Sequence, residues 1–292
     1  MYANLNAGAI GVRADLPQTI EYARRNGFGG IDFSIVEAAG LAKAHSVGYV
    51  KELFERAQVR PGSFGFPVEF RKDEAAWREG LAALPDQAKL AAALGCSRTA
   101  TWLLPGSDER DFLENFRFHV ARLGPAAQIL ADHGIRLGLE FIGPKTLRTR
   151  FKHRFIYTLE GMLALGAAMN TGNVGLLLDI WHLYTSYGSN DQVRELRNED
   201  VVVVHINDAP AGVPVDEQLD QVRALPGETG VLDLAGFLQA LQAIGYDGPV
   251  TAEPFSQRVR EMAPDAAVQA TAAAVDQVWQ EAGLGALGKR AA

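Results

Sequence analysis

Glu140, Asp179, His205 and Glu253 each stand at the carboxyl end of a short apolar run: RLGLE, VGLLLD, VVVVH and PVTAE. Such runs suit strands buried on both faces, the habit of parallel sheets. A carboxylate left unpaired at the end of a buried strand is costly, so each should meet a metal, a cation or several donors. Three carboxylates and one imidazole form a mostly hard, oxygen-rich set. It suits Mn²⁺ first, with Mg²⁺, Co²⁺ or Zn²⁺ as alternatives, in a roughly octahedral shell that leaves about two positions for water or substrate oxygens. A helix cap or an arginine partner would explain any one of these residues. Repetition on four successive strands favours the shared metal.

The side chains near these four divide in the same way. His182, three past Asp179, is expected to contact substrate from the following loop; the alternative is an outward-facing loop histidine. Asp208, three past His205, either orients a ligand from behind or begins the next loop. Arg223, just before PGETG, offers a charged donor to developing negative charge. Lys145 and Arg148 follow Glu140 closely and are weaker candidates for anchoring substrate. Trp102, Phe66 and Trp181 could wall the face of a sugar, although core packing is the commoner fate of aromatics at strand ends.

The elements that would carry these residues alternate from end to end. Strands are expected at residues 5–10, 30–35, 62–68, 98–103, 136–141, 174–178, 201–206 and 250–253. Helices are expected at 17–26, from the second strand up to about 57, and at 74–94, 109–133, 159–169, 192–196 and 264–281. A further helix starts after Asp233 as cap and ends at Gly245, with Leu234, Phe237, Leu238 and Leu241 on one stripe. Asn6 and Asp32 are the polar residues of the first two strands, and a polar, basic loop covers residues 143–154. Eight strand–helix units without a Pro/Gly/Ser linker predict one closed (β/α)₈ barrel over residues 1–282, followed by a tail at 283–292. An open doubly wound sheet would want a glycine-rich phosphate loop after the first strand, and GAIG is a poor one.

Composition narrows the partners. In 292 residues, 48% are hydrophobic and 22% charged, ordinary for a soluble chain with a substantial core. A net charge of −7 argues against a nucleic-acid partner. A lone cysteine, Cys96, cannot form an internal disulfide and fits a reducing cytoplasm. No run approaches membrane-spanning length, and no signal-peptide pattern is present. The expected partner is a small-molecule sugar or polyol, and a homo-oligomer is compatible with the chain.

LGLEFIG, LLLDIWH, VVVVHINDAP with a later R-x-x-PGE-x-G, and YDGPVTAEPF resemble the xylose-isomerase-like barrel superfamily of sugar isomerases and epimerases. The resemblance covers nearly the whole chain. It implies that Glu140, Asp179, His205 and Glu253 hold the metal, that Glu140 and Glu253 also serve as acid and base, and that His182 contacts substrate. The chain departs from the epimerase branch in one respect: HINDAP stands where an arginine would follow His205, and Arg223 is the substitute.

The leading expectation is a divalent-metal-dependent isomerase or epimerase of a sugar or keto-sugar, moving a proton through a metal-stabilised enediolate. A lyase in the same pocket, acting on a keto-inositol or dehydroshikimate, is the runner-up. A DNA-repair endonuclease of the endonuclease IV type ranks lower, because the third and fourth strand ends carry Phe66, Thr101 and Trp102 where extra zinc-binding histidines would be needed. A non-catalytic sugar- or partner-binding barrel ranks lower too, since the ligand set is intact.

Overall fold

The computed structural model describes residues 1–288. Eight parallel strands close a barrel. They are β1 (Tyr2–Leu5), β2 (Gly30–Phe33), β3 (Arg60–Gly65), β4 (Arg98–Leu103), β5 (Arg136–Phe141), β6 (Val174–Asp179), β7 (Val201–Ile206) and β8 (Pro249–Ala252). Each strand pairs with the next in the chain, and β8 returns to β1. The helices are α1 (Leu16–Arg25), α2 (Ile35–Ala44), α3 (Val47–Ala57), α4 (Glu74–Leu94), α5 (Phe112–Asp132) and α6 (Lys145–Arg148). Then come α7 (Leu159–Ala168), α8 (Ile180–Thr185), α9 (Asn190–Arg194), α10 (Leu234–Ala243), α11 (Gln257–Arg260) and α12 (Pro264–Glu281). The chain is a single-domain (β/α)₈ barrel.

Burial on both faces explains the unbroken apolar strands. All six residues of β7 are buried, and Leu176 and Leu178 of β6 have no exposed surface. Helix ends follow the expected chemistry. Asp15 accepts from Gln18 N–H while the Gln18 side chain accepts from Asp15 N–H, a reciprocal cap with proline in the first turn. Gly95 closes α4 at φ 83°, a left-handed conformation that costs glycine little.

Several boundaries differ from the pattern, each for a local reason. The first strand stops at Leu5, not residue 10: the Asn6 carboxamide oxygen accepts from Ala9 N–H at 3.1 Å and turns the chain into a 3₁₀ turn at Gly8–Ile10. The third strand spans Arg60–Gly65 and not 62–68; Phe66 still donates to Ala100, but Pro67 has no N–H to continue the ladder. The second helical segment breaks in two, because Ser46 caps a new helix by accepting from Tyr49 N–H. The helix expected at 192–196 is α9, shifted to Asn190–Arg194, and a further short helix, α8, precedes it directly after β6. The basic loop contains α6 and a strand that pairs His153–Arg154 with Gly106–Ser107.

Within the expected tail, Leu284 and Leu287 pack on the core, and Leu287 N–H donates to Asp276 at 2.6 Å. Its last residues, 289–292, lie outside the described residues. Among the described residues no helix is long and apolar enough to cross a membrane.

Candidate metal centre and active site

β5 to β8 are neighbours around one half of the barrel rim, so residues at their carboxyl ends converge. Asp179 stands in register with His205, and His205 with Thr251, two residues before Glu253. One ligand atom from each of Glu140, Asp179, His205 and Glu253 lies within 4.8 Å of the others. His205 Nδ1 is 3.4 Å from Glu253 Oε2 and 3.8 Å from Glu140 Oε1. Glu140, Asp179 and His205 are buried, and Glu253 is only partly exposed.

Electrostatics here demand a positive charge. Burial, reinforced by the facing Glu253 charge, raises the Glu140 carboxyl well above the usual range. Burial opposes the charged form of His205, but Glu253, then Glu140 and Asp179, outweigh it and lift the imidazole to about 10. Burial likewise opposes the charge on Glu253, and His205 beside it prevails and holds its carboxyl low. Three carboxylates around one imidazole attract either protons or a metal ion. Glu140 Oε1 and His205 Nδ1 are buried with no hydrogen-bond partner among the described residues. Two orphaned donor atoms facing one space, in an oxygen-rich set with one nitrogen, fit a divalent cation.

Asp179 is the most heavily bonded of the four. Its Oδ1 accepts from Trp181 N–H at 2.7 Å and His182 N–H at 3.3 Å, which starts α8 directly at the strand end. Asn207 donates to both of its oxygens, at 3.3 and 3.1 Å. Asn207 escaped the sequence reading; its signal was an amide two residues past His205, beside a strand end that needed donors.

Helix α8, not an open loop, carries His182 into the site, where it is 1% exposed. Gly143 N–H donates to its Nδ1 at 3.2 Å, and its Nε2 lies 3.1 Å from Arg223 and 3.9 Å from Glu140. Burial, then the Arg223 charge, pushes its pKa down to about 3, so the ring is neutral. Arg223 itself is 5% exposed and reaches the centre. It donates to Asp179 at 2.8 Å, Glu253 at 3.3 Å and Asp220 at 2.9 Å. Its guanidinium carbon sits 4.6 Å from the Trp181 ring and 4.7 Å from the Phe255 ring. Asp220 and Phe255 were not foreseen. Phe255 adopts φ 37°, an unusual conformation for a bulky side chain, and it does so beside the site.

The remaining candidates are placed less centrally. Among the described residues Asp208 makes no hydrogen bond to any of the four candidate donors. Its carboxylate accepts from the backbone N–H of Ala209, Thr229, Gly230 and Leu232, which ties down the loop that delivers Arg223. Lys145 is exposed and pairs with Asp216 at 2.5 Å. Arg148 donates to the carbonyls of Gly143 and Thr185 and braces the backbone. Trp102 stands in register with Glu140, is 44% exposed, and carries the Arg71 guanidinium 3.9 Å over its ring. Phe66 is half-buried, 6.1 Å from the Phe70 ring. Trp181 is fully buried against Arg223 and offers no free face.

Known proteins share this fold. The inosose isomerase of Halalkalibacterium halodurans is 25% identical over 262 residues, covering 88% of each chain. A xylose isomerase domain protein from Alicyclobacillus acidocaldarius superposes with a TM-score of 0.86 at 27% identity, covering 96% of this chain and 99% of that one. The IolI protein, solved with a bound zinc atom, shares the fold at a TM-score of 0.77 and 21% identity, covering 95% of this chain and 98% of that one. The model of the xylose isomerase-like TIM barrel matches residues 20–278, the span that contains every donor described above, and the chain belongs to that family.

Proposed function

We propose that the protein is a divalent-metal-dependent isomerase or epimerase of a keto-sugar or keto-polyol, with an inosose as the first substrate to test. The observation that carries this reading is the convergence of Glu140, Asp179, His205 and Glu253 within 4.8 Å, with Glu140 Oε1 and His205 Nδ1 buried and without a hydrogen-bond partner among the described residues. The inosose isomerase relative, matched along 88% of both chains, supports the substrate class.

Those four side chains would hold the ion, Mn²⁺ by preference for a hard oxygen-rich set. Bound there, it would polarise a carbonyl and acidify the neighbouring C–H. Glu140 and Glu253 both lie beside His205, 3.8 and 3.4 Å from its Nδ1. Two carboxylates so placed bracket a substrate carbon: one removes the proton and the other returns it. His182 is neutral and stays so through the working pH range, which suits hydrogen bonding to a substrate oxygen. The Arg223 guanidinium, clamped between Trp181 and Phe255, supplies fixed positive charge beside the oxygen on which negative charge develops.

The test is to incubate Mn²⁺-loaded protein with an inosose in D₂O and follow the C–H next to the carbonyl by NMR. Deuterium incorporation with retention of every hydroxyl is the expected result. Loss of water from the product would make the protein a lyase instead. No exchange with any keto-sugar or keto-polyol would overturn the reading.

A further inference from the structure

The opposite half of the barrel mouth, over β1 to β3, carries polar groups that the metal centre does not use. A cavity of about 600 Å³ opens there, lined by Asn6, Arg13, Asp32, Ser34, Glu37 and Gly65 among others. β1 lies beside β8, whose end supplies Glu253, and Thr251 of β8 reaches Asp32, which links this cavity to the metal-centre half of the rim.

Asp32 is built into its place. Ser63 on β3 donates to its Oδ1 at 2.6 Å and Asn4 on β1 donates to the same oxygen at 2.8 Å. Asn4 also donates to Thr251 on β8 at 2.9 Å, and Thr251 reaches Asp32 Oδ2 only at 3.5 Å. Three neighbouring strands therefore aim the carboxylate while Oδ2 keeps most of its accepting capacity. No lysine, arginine or histidine pairs with it among the described residues, in contrast to Asp179 with Arg223. A partly exposed carboxylate braced by neutral donors, with one oxygen underused, suits an incoming O–H or N–H donor.

Asn6 supplies the complementary group. Its carboxamide oxygen is taken by Ala9 N–H, which leaves its amide group as a donor at the edge of the same cavity. An acceptor beside a donor at one cavity edge matches a hydroxyl group, which gives one hydrogen and takes another. We propose that Asp32 and Asn6 form a metal-independent subsite for a hydroxyl of a cyclic polyol whose other end meets the metal centre. This rests on the functional reading above. It assigns substrate recognition to β1 and β2, with Asp32 as the specificity-determining residue.

The experiment uses myo-inositol, which has no carbonyl to react, and a set of deoxy-inositols lacking one hydroxyl each. Binding to the Mn²⁺-loaded protein is measured by calorimetry for wild type, Asp32→Asn and Asn6→Ala. Asp32→Asn should weaken myo-inositol binding about tenfold to a hundredfold, the range for a hydrogen bond to a charged group. Mn²⁺ affinity, measured separately, should stay within about twofold. One deoxy-inositol should bind wild type as weakly as myo-inositol binds Asp32→Asn, and lose nothing further in that variant. If every missing hydroxyl costs the same in both proteins, or if myo-inositol does not bind wild type, the subsite is overturned. Should Asp32→Asn fail to fold, Asn6→Ala tests the same coupling, since Asn6 lies outside the Asn4–Ser63–Thr251 bracing. Asp32-dependent inositol binding without any deuterium exchange would sink the proposed reaction and leave the subsite standing.

Discussion

Arg223 Nη1 lies 2.8 Å from Asp179 Oδ2, although the two residues are 44 positions apart in the chain. The same nitrogen is 3.3 Å from Glu253, so one guanidinium competes for oxygens that a metal ion would use. Removing it leaves buried carboxylates uncompensated, which typically costs about 3–5 kcal/mol. Arg223→Gln should therefore lower the melting temperature of the metal-free protein and enlarge the rise that Mn²⁺ produces. An unchanged Mn²⁺-induced rise would show that arginine and cation do not compete.

Asp179→Ala and His205→Ala should lose most bound metal on analysis after gel filtration. His182→Ala should retain it, because His182 lies against Gly143 and Arg223 and outside the cluster of four donors. Its defect should appear in substrate binding or turnover. Loss of metal in His182→Ala would add this histidine to the ligand set, and full occupancy in the first two variants would dissolve the proposed centre.

Glu140→Gln and Glu253→Gln, refilled with metal, should each lose about 10²–10⁴ in rate, the usual cost of a positioned acid or base. Exchange of the substrate proton with solvent should fall along with turnover in at least one of them. Wild-type exchange in both metal-loaded variants would move the proton chemistry to another group.

His119 reports on the scaffold and not the site. It is buried on α5, stacked on Phe155 and edge-on to Phe70, with Nδ1 2.8 Å from the Asn115 carbonyl. Burial pushes its pKa down to about 4, from about 6.5 in an unfolded chain. The unfolded state takes up this proton first as pH falls. Stability should thus decline from about pH 6.5 to about pH 4, by about 3 kcal/mol for this residue at 1.36 kcal/mol per pKa unit. Denaturant titrations of His119→Phe should show a shallower decline across that window. An equal decline in both proteins would assign the acid sensitivity to other groups.

The barrel and its four donors could be read in the linear chain because their signals are local. An apolar run long enough for one buried strand, ending on Glu140, Asp179, His205 or Glu253, states both the strand and the polar residue at its end. The boundaries of α4 and β5 came out as expected, since caps and apolar periods act over a few residues. The break at Asn6 and the start of α8 at Asp179 depend on single side-chain-to-backbone bonds, which a hydrophobic pattern does not encode.

Arg223 could be suspected from sequence, but its place between Trp181 and Phe255 follows from closure of the barrel. The same is true of Asn207 against Asp179, and of Asp32 against donors on β1, β3 and β8. Of the two readings of Asp208, ligand support or the start of the next loop, its bonds fit the second, because four amides of that loop fold back over its carboxylate. By itself, then, the sequence determined the strand–helix alternation and picked out the four candidate donors, since each depends on neighbours a few residues away. Only the tertiary structure decided which charges meet, because those distances run across a closed sheet that joins residues from opposite ends of the chain.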